Sequence, residues 1–178
     1  MPKTVTLTGH ERTFARDDVI VSKTDLKGRI TYANRVFLEV AGFTEKELLG
    51  QPHSIIRHPD MPRCVFKLLW ATLEAGNEIF AYVINRCKNG DHYWVYAHVT
   101  PSFDSSGKII SYHSNRRVPE KAVINQHIIP LYSALLEEEK RHASRKEGML
   151  AAEQMVLNLL AENGIGYDEF LANLRAVA

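Results

Sequence analysis

Two long β-rich runs joined by Asn-Gly constrain this chain more than any other feature. The first run, EIFAYVINRCK, ends before Asn89 and Gly90, and the second, DHYWVYAHVTP, begins directly after them. Asn-Gly between two such runs is the strongest short-range signal for a β-hairpin, because both residues tolerate the positive φ angles that tight hairpin turns need. The sequence therefore predicts a long antiparallel hairpin over residues 78–101.

Side chains alternate across a strand, so the hairpin has two distinguishable faces. One face is apolar except for a single amide; its residues are Ile79, Ala81, Val83, Asn85, Tyr93, Val95, Ala97 and Val99. A buried amide without a partner costs about 1 to 3 kcal/mol, so Asn85 needs a definite partner. Two interpretations stay open: Asn85 bonds backbone near the strand end, or it donates to and accepts from a heterocyclic ligand.

The other face of the hairpin is aromatic. It carries His92, Trp94, Tyr96 and His98. An exposed patch of this kind would be a liability. We therefore expect it to pack under the N-terminal segment, the C-terminal helices or a second subunit.

The remaining patterns predict an α+β domain. The runs VIVSKT and RITYA flank the turn formers of DLKG, the runs NRVFLEVAGF, TEKELLG and CVFKLLWATLEAG are helical, and IISYHSNRR is a last strand. The order is two strands, two short helices, one longer helix and three strands, which favours an antiparallel meander.

The chain divides into three segments by composition. Residues 1–17 form an N-terminal cap segment, residues 18–119 the α+β domain, and residues 120–178 a helical tail that serves signalling or interaction. In the tail, Pro130 suits a first helical turn, and Gly148 is expected to break the helix. NGIG predicts a helix end and YDEFLANL a final short helix.

Composition and motifs exclude several functions. The 178 residues carry a net charge of +1, which gives no electrostatic attraction to nucleic acid. We expect a cytoplasmic protein, because no apolar run reaches about 18 residues and the start lacks the apolar core of a secretory signal. The two cysteines lack metal-site spacing, and no catalytic triad, paired carboxylates or phosphate-binding loop is present. We therefore expect neither a metal site nor an enzyme.

The stretch RHPDMPR, Arg57 to Arg63, concentrates polar groups beside GQPHSI. One interpretation is a turn network in which Asp60 and Pro62 start the following helix. The other is a polar clamp for a ligand, in which Arg57 neutralises a phosphate or caps a carbonyl, His58 donates a hydrogen bond, and Asp60 orients one of these cations.

Three stretches carry a resemblance to a known family: DLKGRITYANRVFLEVAGFTEKELLGQPHSIIRHPDMP, LWATLEAG and NRCKNGDHYWVYAHVTP. Together they closely resemble the PAS sensor domain of the Aer-type aerotaxis receptors. The similarity runs from Ile20 to Arg117 and returns in PLYSALL. The resemblance implies a five-stranded antiparallel PAS sheet with helices over one face. It also implies FAD between sheet and helices as a redox sensor.

The resemblance also implies which residues touch FAD. Arg57, His58 and Asp60 fall on the family's flavin-site motif, and further matches fall on other elements. The candidate set is Arg57, His58, Asp60, Asn85, Asn34, Trp70, His53 and Ser114. One departure concerns Ile79, where the family has an aromatic residue, usually tryptophan, so FAD binding could be weaker, altered in pose or absent.

The resulting hypothesis is a redox or oxygen sensor that relays the state of FAD through protein contacts. Its expected partners are a second copy of the chain and a signalling protein such as a chemoreceptor or histidine kinase. The alternative is a cofactor-free PAS module for dimerisation or docking, and a haem-binding gas sensor is a further one. Blue-light adduct chemistry is not expected, because GQPHSIIRHPD lacks the reactive cysteine it requires.

Overall fold

Five antiparallel strands form the centre of the protein, in the order β2-β1-β5-β4-β3. The computed structural model describes residues 5–176. The elements of the α+β domain are β1 (Ile20–Thr24), β2 (Ile30–Ala33), α1 (Arg35–Ala41), α2 (Glu45–Leu48), a 3-10 turn (His53–Ile56), α3 (Arg63–Glu74), β3 (Ile79–Arg86), β4 (His92–Phe103) and β5 (Ile109–Arg117). The predicted α+β fold and element order are thus confirmed.

The predicted hairpin pairs β3 with β4 from Ile79 opposite Val99 to Arg86 opposite His92. Its loop spans residues 87–91 and is closed by the Gly90 N–H, which donates to the Cys87 carbonyl. Gly90 has a φ of +98°, and a Cβ there would lie 2.0 Å from the Thr6 carbonyl oxygen. Only glycine fits this turn, because the N-terminal segment crosses directly over it.

The helices on the inner face of the sheet begin at residues that cap them. The Asn34 Oδ1 accepts from the Phe37 N–H at the start of α1, and Thr44 with Glu47 forms the predicted capping box of α2. Helix α3 begins after Pro62, whose side chain cannot cap it. The N-terminus of α3 therefore needs a partner from elsewhere in the chain.

The helical tail contains α4 (Lys121–Val123), a π turn (Ile124–Ile128), α5 (Ile129–Arg141), α6 (Arg145–Asn163) and α7 (Tyr167–Ala176). The expected helix break at Gly148 is wrong. The break precedes Ser144, whose Oγ caps α6 by accepting from the Lys146 and Glu147 N–H groups. Gly148 lies within α6 and faces α5, where a Cβ would be 2.2 Å from the Glu139 carbonyl oxygen. Glycine at this position therefore allows the two helices to approach closely.

The tail packs around the β3 edge of the sheet. The Tyr132 hydroxyl in α5 donates to the Tyr82 carbonyl of β3, and its ring lies 6.1 Å from that of Trp94. The Arg175 guanidinium of α7 lies 4.9 Å from the centre of the Tyr96 ring. Trp94 and Tyr96 on the aromatic outer face thus pack against the C-terminal helices, which also shield part of the edge strand. The N-terminal segment pairs with the backbone of His92, a residue of the same face.

Within residues 5–176, no helix combines the length and apolar character needed to cross a bilayer.

Candidate functional site

A cavity of about 80 Å³ lies between the inner face of the sheet and helix α3. Strands β1, β3, β4 and β5 supply its floor, the 3-10 turn supplies one side, and α3 covers it. Its lining includes Ser22, Thr24, His53, Phe66, Leu69, Trp70, Val83, Asn85, Ala97, Val99, Tyr112, Ser114 and Arg116. It is mostly apolar with a few convergent polar groups, which is typical of small-molecule sites.

Arg116 is the only arginine or lysine among these lining residues, and it is 2% exposed. Its Nη2 donates to the Ser22 Oγ at 2.6 Å, and its guanidinium lies 4.4 Å from the centre of the Phe37 ring. Its Nε and Nη1 have no hydrogen-bond partner among the described residues. Burial lowers the pKa of Arg116 to about 10, so the side chain stays charged at neutral pH.

Ser22 connects Arg116 to His53. The Ser22 Oγ accepts from Arg116 and also forms a hydrogen bond of 3.3 Å with the His53 Nε2. Burial, and then the charge of Arg116, lower the pKa of His53 to about 3, so the ring is neutral at physiological pH.

Asn85 is 3% exposed, and its Nδ2 has no hydrogen-bond partner among residues 5–176. Its backbone pairs with that of Arg57 in an isolated β-bridge, which fixes the strand end against the loop before α3. Asn85 and Arg116 thus bring unpartnered donors to the same cavity. Leaving such donors buried costs about 1 to 3 kcal/mol each, which indicates a ligand that would accept from them.

The structure brings four of the predicted site residues to the cavity. They are His53, Trp70, Asn85 and Ser114. Trp70 is half-buried and packs edge-on against Tyr112, with ring centroids 5.3 Å apart. A Cβ at Gly28 would lie 3.4 Å from the Trp70 ring. Trp70 is therefore a wall of the cavity held from two sides.

Three predicted site residues lie away from the cavity. Asn34 uses its amide for structure: its Oδ1 accepts from the Val21 and Phe37 N–H groups, and its Nδ2 donates to the Val19 carbonyl. The His58 Nδ1 accepts from the Asp60 N–H at 3.1 Å. This geometry and the pKa of His58, lowered chiefly by burial, indicate a neutral ring. The Asp60 carboxylate is exposed and 3.7 Å from that nitrogen.

Arg57 lies at the border of the cavity. Its guanidinium stacks 4.6 Å from the centre of the Phe66 ring, and Phe66 lines the cavity on its other side. Its hydrogen bond to the Met61 carbonyl is long, at 3.4 Å. The RHPDMPR stretch is therefore a turn network at His58 and Asp60, and a cationic border of the cavity at Arg57.

Sequence reasoning missed Arg116 and Ser22. The signal was available: in IISYHSNRR, Ser114 and Arg116 are two residues apart and so share a face of β5. Ile79, where the family aromatic is replaced, is 2% exposed and belongs to the core rather than to the described lining. Phe80 lies on the outer face, as expected, stacked against His98.

Comparison with known proteins agrees with this architecture. Residues 30–116 match the protein-family profile described as PAS fold. The chain is 46% identical over 122 residues to the aerotaxis receptor of Escherichia coli K12, across 68% of this chain and 24% of the receptor. It is 29% identical over 99 residues to the nitrogen fixation regulatory protein of Klebsiella pneumoniae, across 56% of this chain and 20% of that protein. The chain thus spans about a quarter or less of these relatives.

Solved structures support the fold. The dark structure of the blue-light photoreceptor Aureochrome1 LOV superposes with a TM-score of 0.56 and 22% identity, covering 65% of this chain and 86% of that chain. A light-oxygen-voltage domain studied with a flavin analogue gives a TM-score of 0.53 and 19% identity, covering 69% and 86%. At this identity, the similarity concerns the fold.

Proposed function

Residues 30–116 have the PAS fold, and we propose that this domain is a redox or oxygen sensor that binds FAD in the cavity. One observation supports the proposal above the others: the Nδ2 of Asn85 and the Nε and Nη1 of Arg116 are buried donors in one apolar cavity, without partners among residues 5–176. The polar edge of an isoalloxazine ring carries carbonyl oxygens and ring nitrogens that accept from such donors.

The hydrogen-bonding groups of the cavity suit a flavin ring, but the cavity must widen to hold one. The cavity of about 80 Å³ is smaller than the roughly 300 Å³ at which ligand pockets begin. A bound flavin would therefore have to displace Phe66 and Trp70, the half-buried side chains of the outer wall. Asn85 and Arg116 would hold the polar edge of the ring, and the apolar side chains of α3 and β4 would exclude water from it.

When bound, FAD supplies reversible electron transfer, which changes the charge and protonation of its ring. The protein transmits such a change through residues on both sides of the cavity. The Arg116–Ser22–His53 chain reaches the 3-10 turn, and the Asn85–Arg57 bridge reaches Phe66 in α3. The positions of the Asn85 and Arg116 donors would therefore change with the hydrogen bonds that the flavin ring accepts in each redox state.

Helix α3 connects the cavity to the tail. The Glu139 carboxylate in α5 accepts from the Arg63 and Cys64 N–H groups at 2.6 and 3.0 Å and so caps the N-terminus of α3. One turn later, the Lys67 Nζ lies 2.6 Å from the Glu153 carboxylate of α6. An outward shift of α3 therefore strains its contacts with both tail helices, and tail packing is the bistable element of the proposed sensor.

The proposed output is a protein contact. We propose that the chain works in the cytoplasm without catalysis of its own, as a dimer that signals to a chemoreceptor or histidine kinase. The relation to the aerotaxis receptor supports this class of partner.

The test is the spectrum of the purified protein, followed by titration of flavin-free protein with FAD. We expect a yellow protein that dithionite bleaches. Asn85→Leu should lose flavin binding while retaining its circular dichroism spectrum. Asn115→Leu is the matched control, because Asn115 lies on the outer face of β5 beside Phe80 and Tyr96. A folded protein that binds no flavin would refute the proposal.

The small cavity and the loss of the family aromatic at Ile79 favour a second candidate, a cofactor-free docking module. Ile79→Trp separates the two. Flavin bound only by this variant would show that the natural chain has lost the ligand, and stoichiometric flavin in the unaltered protein would exclude the docking module.

A further inference from the structure

A basic groove of about 960 Å³ lies between the loop before α3, the end of β3 and the junction of α5 and α6. Five cations line it: Arg57, Arg63, Arg86, Lys140 and Arg145. Two histidines, His58 and His142, also line it, and Glu139 is its one carboxylate. Such an excess is local, since the whole chain has a net charge of only +1.

The cations of this basic groove lack acidic partners. Within the part of the chain that the structure describes, no charged side-chain nitrogen of the five lies within 4.0 Å of a carboxylate, although the Arg86 guanidinium donates to the Ile55 carbonyl. Glu139 is already engaged with the backbone N–H groups at the start of α3. Burial, and then the charge of Arg63, lower the pKa of Arg57, and the charge of Glu139 opposes this shift. A bound anion would relieve the repulsion between Arg57 and Arg63.

We propose that the basic groove binds a nucleoside diphosphate group and that Lys140 and Arg145 of the tail complete it. A volume of about 960 Å³ suits a nucleotide, because ligand sites span about 300 to 1,000 Å³. Arginine and lysine side chains without carboxylate partners are the groups that recognise phosphate oxygens. Lys140 and Arg145 line the groove but lie outside residues 30–116, which match the PAS fold. The proposed site therefore includes residues of the tail as well as of the PAS domain.

The diphosphate has two possible sources. The proposal rests on the proposed function where the source is FAD itself, because Arg57 borders both the cavity and the groove through Phe66. The other source is a free nucleotide such as ADP. In either case the tail senses the ligand directly, and ligand binding stabilises the docked position of α5 and α6.

The experiment compares two double variants with the same change in charge. Lys140→Ala/Arg145→Ala removes the tail cations of the groove. Arg141→Ala/Lys146→Ala is the control, because these exposed neighbours do not line it. The flavin-free proteins are titrated with FAD, riboflavin and ADP, and circular dichroism verifies folding. We expect the first double variant to bind FAD at least about tenfold more weakly, with riboflavin unchanged.

Salt provides a measurement that needs no variant. FAD binding to the unaltered protein should weaken as salt rises, whereas riboflavin binding should not. Equal loss of FAD affinity in both double variants, or an equal response of FAD and riboflavin to salt, would overturn the proposal.

The same titrations distinguish a failure of the proposed FAD sensor from a failure of the groove proposal. If no flavin binds but ADP binds and is lost only in the first double variant, the groove stands with a free nucleotide as its ligand. If neither FAD nor ADP binds, the groove proposal is wrong as well.

Discussion

Arg116→Met is expected to stabilise the flavin-free protein while abolishing flavin binding. The pKa of Arg116 is about 10 against an ordinary 12.5, and each unit corresponds to about 1.4 kcal/mol, so keeping this charge buried costs about 3 kcal/mol. Methionine also removes two donors that have no partner among the described residues. The hydrogen bond to Ser22 is lost, at about 1 to 2 kcal/mol. The net expectation is a gain of about 1 to 2 kcal/mol in the free energy of unfolding.

The assay is urea unfolding of flavin-free protein, monitored by circular dichroism, with a parallel FAD titration. Arg117→Met is the control, because Arg117 is the exposed neighbour on the opposite face of β5. The control should change stability by less than about 0.5 kcal/mol and leave FAD binding intact.

If Arg116→Met destabilised the flavin-free protein by more than about 1 kcal/mol, the guanidinium would be a structural group whose contacts with Ser22 and Phe37 outweigh its burial. Its open donors would then carry no information about a ligand.

Three other perturbations test the structure. The pKa of His53 is lowered to about 3 in the folded protein, so at a pH below its ordinary pKa of 6.5 the unfolded chain binds a proton that the folded chain does not. Because of this residue, the free energy of unfolding should fall by about 1.4 kcal/mol for each unit by which the pH is lowered. Urea unfolding at about pH 5.5 and pH 4.5 measures this loss, which should be absent in His53→Asn. Glu139→Gln should cost about 0.5 to 2 kcal/mol by weakening the cap of α3, whereas the exposed Glu137→Gln should cost little, and equal losses would contradict the cap. Gly148→Ala should lower the melting temperature because its Cβ meets the backbone of α5, whereas Gly166→Ala meets nothing within 4 Å; equal melting temperatures would show that the helices are not in close contact.

The elements of the α+β domain could be predicted because their signals are local. Asn89 and Gly90 identify the hairpin, and Thr44 with Glu47 identifies the start of α2, because turn and cap chemistry act within a few residues. The same locality explains the error at Gly148. A glycine in a helical run resembles a break, and only the neighbouring helix shows that it is a close contact.

The candidate site was only partly predictable. Alternation along β3 identified the inward amide of Asn85, while RHPDMPR drew attention to His58 and Asp60, whose polar groups serve their own turn. Alternation along β5 places Arg116 on the face of the predicted site residue Ser114 and Arg117 on the opposite face, a signal that was not used. The position of β5 between β1 and β4, which brings that face to the cavity, depends on the fold.

The strands, their turns, the capping box of α2 and the inward face of the central hairpin depend on residues close together in the chain, so local patterns were enough to predict them. Two contacts could not be predicted in this way: Arg116 meets a serine 94 residues away, and Glu139 caps a helix whose first residue is 76 residues away. These contacts depend on strand order and on how the tail wraps the sheet edge. The cavity donors and the basic groove therefore exist only in the folded chain.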